Sequence, residues 1–190
     1  MHGRVLVIGG YGEAPNPPLS AELWDPGTLT FTPAGSIADG RTGHTATLLR
    51  DGRVLVIGGT CCRRNAALTE LWDPATETFS EAAPLVKGRI QGGHTATLLP
   101  DGRVLVIGGF DHRSRPLKPA EIWDPAAETF REAGRMAKVR AGHSATLLRD
   151  ALSGGPCDRV GTPRQRGPAG PCRSPEGTDH ARRVPGLKGR

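Results

Sequence analysis

The chain has 190 residues, with 25 Lys or Arg against 19 Asp or Glu, a formal net charge of +6 and only 4% aromatic residues. No apolar run approaches the roughly 20 residues of a membrane helix, and the N-terminus lacks the basic start and apolar middle of a signal peptide, so the chain reads as soluble, with no membrane partner and its compartment open. The basic excess is local: residues 151–190 carry eight Lys or Arg against three acids, +5 of the +6, which leaves residues 1–150 near neutral and argues against a nucleic-acid surface on the fold.

The first element is GRVLVIGG, Gly3 to Gly10, a strand-like apolar run ending in Gly9 and Gly10. Paired glycines after a strand suit a phosphate loop only if a helix follows, because the helix N-terminus supplies the N–H groups that hold the anion. None of the three copies of this run has one. The first is followed by Pro15, Pro17 and Pro18, and the linkers after Gly58, Gly59 and after Gly108, Gly109 are too short before the next strand-like run. No nucleotide or other cofactor is expected. Four cysteines, Cys61, Cys62, Cys157 and Cys172, form no CxxC pair and have no histidines at zinc-site spacing, so no metal is expected either.

Aligned with itself, the chain repeats every 48 to 51 residues, in three blocks of constant order. GHTATLL begins at Gly43 and Gly93 and returns as GHSATLL at Gly142; DGRVLVIGG begins at Asp51 and Asp101, with His2 in place of the aspartate in the first copy. The third block is Trp-Asp-Pro with a later phenylalanine: Trp24, Asp25 and Phe31; Trp72, Asp73 and Phe79; Trp123, Asp124 and Phe130. A period of this length marks a solenoid, a propeller or another array.

Each unit reads as four short strands. HTATLL and RVLVI flank Asp-Gly, a hairpin signal in which both residues tolerate positive φ. The ExW run is the third strand, turned by Asp-Pro into the fourth, TLTF or TETF. RVLVI is apolar on both faces, as a strand is when its sheet lies between two others. Stacked four-stranded sheets make a propeller. The expected fold is all-β: about three propeller blades of four-stranded antiparallel sheet in residues 1–150, with repeats at 2–42, 43–92 and 93–142 and a lone first strand at 143–150. Residues 151–190, with fourteen Gly or Pro in forty, read as a disordered tail.

The order HxAxLL, DGRVLVIGG, ExWDPxTxTF resembles the kelch repeat, over residues 2–150. The resemblance implies a β-propeller, usually of six or seven blades, that binds other molecules through loops on one face. A branch similar to galactose oxidase uses copper held by two tyrosines and two histidines. This chain has a single tyrosine, Tyr11, which argues against that chemistry.

What is identical in every copy should serve the blade, since each blade solves the same packing problem. On that ground Trp24, Trp72 and Trp123 are expected as wedges between sheets. Asp25, Asp73 and Asp124 belong to turns, and the glycine pairs belong to the scaffold. His44, His94 and His143, with Arg41, Arg89 and Arg140 ahead of them, are expected to bond the ends of neighbouring strands. Strand alternation puts the Asp-Gly and Asp-Pro turns on one rim and the divergent loops on the other. Two of those loops are basic, one through Arg63 and Arg64, the other through His112, Arg113, Arg115 and Lys118, and function in such scaffolds usually sits on loops.

Three readings of function stay open. The first is a non-enzymatic binding module whose loop face meets an acidic partner, another protein or a carbohydrate. The second is a fragment of a carbohydrate-active propeller enzyme whose catalytic residues lie in blades absent here. The third is a partial or frameshifted gene product, suggested by the Arg, Gly and Pro-rich sequence that follows Asp150 where GRVLVIGG is due. Three blades do not easily close a ring, so a homodimer completing a six-bladed ring is set against an open arc with exposed edges.

Overall fold

The computed structural model describes residues 3–12, 17–59, 68–89 and 92–148. Met1–Arg149 form one compact unit; Asp150–Arg190, a second unit, lie outside the described residues, as do His2, Arg63, Arg64 and all four cysteines.

The described residues are all-β and contain no helix. Strands β1 (Val5–Ile8), β2 (Ser20–Asp25) and β3 (Thr30–Ser36) form a three-stranded sheet in that order. Strands β4 (Thr45–Leu48), β5 (Val54–Ile57), β6 (Thr69–Asp73) and β7 (Thr78–Ala82) form a four-stranded sheet. So do β8 (His94–Leu98), β9 (Val104–Gly108), β10 (Leu117–Asp124) and β11 (Thr129–Arg140). Every pairing is an antiparallel meander, so each sequence repeat is one blade. The first blade lacks the innermost strand that β4 and β8 provide to the other two, which leaves β1 at a sheet edge.

Burial follows the two-faced apolar pattern of RVLVI. In the middle blade Leu55, Val56 and Ile57 are fully buried, because β5 is covered on both sides. At the first seam Trp72, Val54 and Phe79 pack on Leu6, Ile8, Ala21, Leu23 and Ala34 of the first blade, and the Trp72 indole N–H donates to the Ala34 carbonyl at 3.1 Å. At the second seam Trp123, Phe130, Val104 and Val106 pack on Leu55, Ile57 and Leu71. The Trp123 and Phe130 rings lie 5.0 Å apart between centroids. Trp24, on a face that no described blade covers, is only half-buried.

The turns show where local chemistry differs from expectation. The Asp-Gly hairpins are three-residue loops rather than two-residue ones. The Leu49 N–H donates to the Arg53 carbonyl at 2.8 Å and the Gly52 N–H to the Leu49 carbonyl at 3.2 Å. Only the glycines, Gly52 at φ 92° and Gly102 at φ 89°, are left-handed. The aspartates serve through their side chains: Asp51 accepts from the Arg53 N–H at 3.0 Å and Asp101 from the Arg103 N–H at 3.1 Å. A turn closed by one left-handed glycine gives the same reversal as a primed turn without needing the aspartate at positive φ. In the Asp-Pro turns Asp25, Asp73 and Asp124 accept from the N–H two residues on, at 2.7, 2.8 and 2.9 Å.

Two segments depart from the repeat. The stretch 132–142, which follows the expected fourth strand of the third repeat, is largely strand, because β11 runs on to pair Arg140 with Leu117 across two register shifts. Lys118, expected in a loop, therefore stands in β10. His143–Leu148, expected as a first strand, lies in no strand. The equivalent segments β4 and β8 pair with the RVLVI run that follows them, and no such run follows Asp150. Among the described residues no helix is long and apolar enough to cross a membrane.

Candidate functional site

The glycine pairs hold protein. Gly10, Gly59 and Gly109 donate their N–H groups to the carbonyls of Arg41, Arg89 and Arg140 at 3.0, 3.3 and 2.9 Å, so each pair grips the linker leaving its own blade. Gly58 sits at φ +63°, where a Cβ would lie 2.9 Å from the Arg89 carbonyl oxygen, a place only glycine fills. With these N–H groups spent on carbonyl oxygens, the loop is a socket for the linker and no cradle for phosphate.

The gripped arginine then crosses the seam. Arg41 and Arg89 are buried, at 1% and 0% exposure, and form ion pairs with the buried Glu70 and Glu121 of the following blade. Arg89 also donates to the carbonyls of Gly108 at 2.9 Å, Lys87 at 2.8 Å and Pro119 at 3.1 Å, while Glu121 accepts from the Val86 and Lys87 N–H groups at 2.7 and 3.1 Å. Both charges are thus paired and hydrogen-bonded, the condition under which burying them is tolerable. The glutamates escaped the sequence reading because they stand beside an apolar residue in a strand, as a solvent-facing residue would. The readable signal was a glutamate and an arginine of opposite charge, each identical in all three copies.

The histidines form a ladder, each opening an HTATLL or HSATLL run. The imidazole of His94 is bonded to the Thr45 hydroxyl at 3.0 Å, and that of His143 to the Thr95 hydroxyl at 3.4 Å, in each case through Nε2. The Nδ1 atoms of His44, His94 and His143 are buried without a partner. Burial, reinforced by the Arg89 guanidinium, pushes His94 down to about 4, and burial with Arg41 lowers His44. Among the described residues no group of three or more His, Cys, Asp or Glu is placed to hold a metal ion.

The residues that differ between repeats meet at the second seam. A cavity of about 420 Å³ lies between the linker carrying Lys87 and the β9–β10 loop, with His112 and Arg115 from that loop and Arg135 from β11 on its walls. Asp111 joins them, 2.8 Å from Arg115, and accepts the backbone N–H groups of Arg115 at 2.9 Å and Arg113 at 2.8 Å. These bonds, the Arg115 N–H first, hold its carboxyl down at about 2, so it stays ionised. Lys87, Arg115 and Arg135 set three cations against that one carboxylate. Of the sequence candidates, His112 and Arg115 line the cavity; Arg113 and Lys118 do not, and Arg63 and Arg64 lie outside the described residues. Lys87 and Arg135 were missed, since in sequence each falls in a stretch between blades that reads as connection, although Arg135 stands in β11.

The first seam is the contrast. Among the described residues, the charged groups lining its cavity, about 230 Å³, are Asp39, Glu70 and Glu81. Asp39 and Lys87 both stand two residues before the locking arginine, so equivalent positions carry opposite charge.

A family model described as the Kelch motif matches residues 93–137, spanning β8 to β10 and most of β11. The solved structure of YjhT matches with a TM-score of 0.61 at 14% identity, over 73% of this chain and 51% of that one. This chain thus spans about half the length of that neighbour, and the likeness is one of fold. No curated protein matches the chain.

Proposed function

We propose that this chain, a run of kelch repeats folded as β-propeller blades, is a non-enzymatic binding module that takes an acidic group of its partner, a protein or a carbohydrate, into the basic cavity of the second seam. The observation that carries the reading is the opposite charge at one equivalent position, Lys87 in the second seam and Asp39 in the first, with Arg115 and Arg135 beside Lys87 and Glu81 near Asp39 among the described residues, which do not include the first seam's own Arg63 and Arg64. A scaffold requirement would act on both seams alike. The anion would accept from Lys87 and Arg135, while Asp111 keeps Arg115 fixed as the wall between them. Contacts of this kind are charge-assisted, worth about 1.5–3 kcal/mol each when well aligned and less where water screens them.

The test is calorimetric titration with two probes, an oligogalacturonate and poly-glutamate, at low and physiological salt. Saturable binding of one probe, weakened by salt, and weakened about tenfold or more in Lys87→Ala/Arg135→Ala at unchanged melting temperature, is expected. Equal binding by the double variant removes the cavity from consideration. The chain's span of about half of YjhT is compatible with a second reading, in which these blades serve within a larger propeller; where that propeller is carbohydrate-active, the first probe binds at this cavity and is turned over only by the larger assembly.

A further inference from the structure

We propose that two copies of this chain close one ring by exchanging the segment Arg140–Leu148, each copy's segment completing the first blade of the other. Within the chain, the two seams show what a completed blade requires: an arginine inserted beside a β-strand glutamate, an inner strand laid against RVLVI, and a hydroxyl placed on the histidine of the following blade.

The first blade lacks all three, and the far end of the chain presents all three unused. Glu22, the counterpart of the buried Glu70 and Glu121, is exposed, and Arg140, the counterpart of Arg41 and Arg89, is exposed as well. Among the described residues neither side chain makes a hydrogen bond or ion pair. Yet the Arg140 carbonyl is gripped by the Gly109 N–H as Arg41 and Arg89 are gripped, so its backbone already occupies the crossing position.

The strand itself matches in the same way. β1 is a sheet edge where β5 and β9 have inner neighbours, and His143–Leu148 is an inner-strand sequence with no sheet. His143 follows Arg140 at the spacing by which His44 follows Arg41. Register carries over from the middle blade, where Ala46 faces Val56, so Ala145 would face Val7. The His44 Nε2 would then meet the Ser144 hydroxyl, as His94 meets Thr45.

Burial points to the same occupant. Val5, Val7 and Phe31 are 51%, 43% and 57% exposed, where their counterparts Val104, Val106 and Phe130 are 0%, 0% and 9%. What covers those counterparts is the outgoing face of the middle blade, through Leu55, Ile57 and Leu71, and the equivalent Leu105 and Ile107 of the third blade are partly uncovered. The match spans 51% of the YjhT chain, so two copies come to about the length of that neighbour. The exchange is reciprocal, each copy giving and receiving the same segment, so it closes as a twofold pair.

Sedimentation velocity across a concentration series, on the full chain, reads the mass: twice 20.0 kDa is expected. Glu22→Arg alone and Arg140→Glu alone should each shift the protein to one-chain mass, and the two together in one chain should restore the pair, since each new charge then meets its complement across the exchanged seam. Val7→Cys/Ala145→Cys, with the native cysteines changed to Ser, should give an interchain disulfide on a non-reducing gel. A single-chain mass at every concentration overturns the proposal. So does a ladder of growing oligomers, and so do charge variants that leave a dimer intact.

Discussion

Replacing Arg89 by Met tests the seam lock most severely. The guanidinium is fully buried and serves four acceptors at once: the Glu121 carboxylate and the carbonyls of Gly108, Lys87 and Pro119. Met fills most of the volume and leaves a buried carboxylate whose remaining donors are the Val86 and Lys87 N–H groups. Removing one partner of a buried pair costs about 3–5 kcal/mol, a large share of the roughly 5–15 kcal/mol that holds a domain together. Adding Glu121→Gln to Arg89→Met removes the stranded charge and should recover about 1–3 kcal/mol, the coupling typical of contacting groups. The control is Arg53→Ala, which breaks the 2.7 Å pair across the same seam between Arg53 and Glu128, side chains 27% and 49% exposed. An exposed pair of this kind is worth about 0–1 kcal/mol. The assay is urea unfolding followed by tryptophan fluorescence, at one fixed protein concentration. An Arg89→Met loss no larger than that of Arg53→Ala would refute the lock.

Two further outcomes follow from the same seams. His94 has its folded value at about 4 against 6.5 when free, so the unfolded chain takes up the proton first as pH falls. Its contribution is full above about 6.5 and is lost progressively toward 4, on the order of 3 kcal/mol in all, with His44 acting in the same direction; urea midpoints measured from pH 7.5 to 4.5 should fall steeply, and His94→Gln should flatten the profile. Gly58→Ala should destabilise more than Gly142→Ala: both sit near φ +63°, which costs an L-residue about 1–2 kcal/mol, but only at Gly58 does the new Cβ meet the Arg89 carbonyl, at 2.9 Å. Equal losses in thermal melts would show that the socket has room.

The repeat made the blades legible because each block carries its own local chemistry: alternation in HTATLL, two-faced apolarity in RVLVI, and a turn fixed by Asp-Pro. It also exposed the missing inner strand of the first blade, since strands can be counted. The turn geometry was less legible, because Asp-Gly suits both a two-residue loop and the three-residue loop actually closed by Gly52. His143–Leu148 reads as a strand from its own residues, but a strand exists only with a partner, and the partner is supplied from elsewhere in the sequence. The basic cavity was half legible. His112 and Arg115 stand out in a divergent loop, whereas Lys87 and Arg135 gain meaning only when the seam brings two linkers together. The Arg–Glu lock was written in invariant charges that local periodicity reads as solvent-facing.

The claim at the centre is that recurring residues build the blades and that the seam whose charges differ does the binding. Exchanging charge at the equivalent positions tests it directly, with Lys87→Asp making the second seam resemble the first, and Asp39→Lys serving as the reverse change. Titration of both variants and the parent chain with oligogalacturonate and poly-glutamate gives the answer. Binding should fall by about tenfold or more in Lys87→Asp, the equivalent of 1.4 kcal/mol or more, and should be retained in Asp39→Lys, with melting temperatures unchanged in both. Undiminished binding by Lys87→Asp, or equal loss in the two variants, would contradict it.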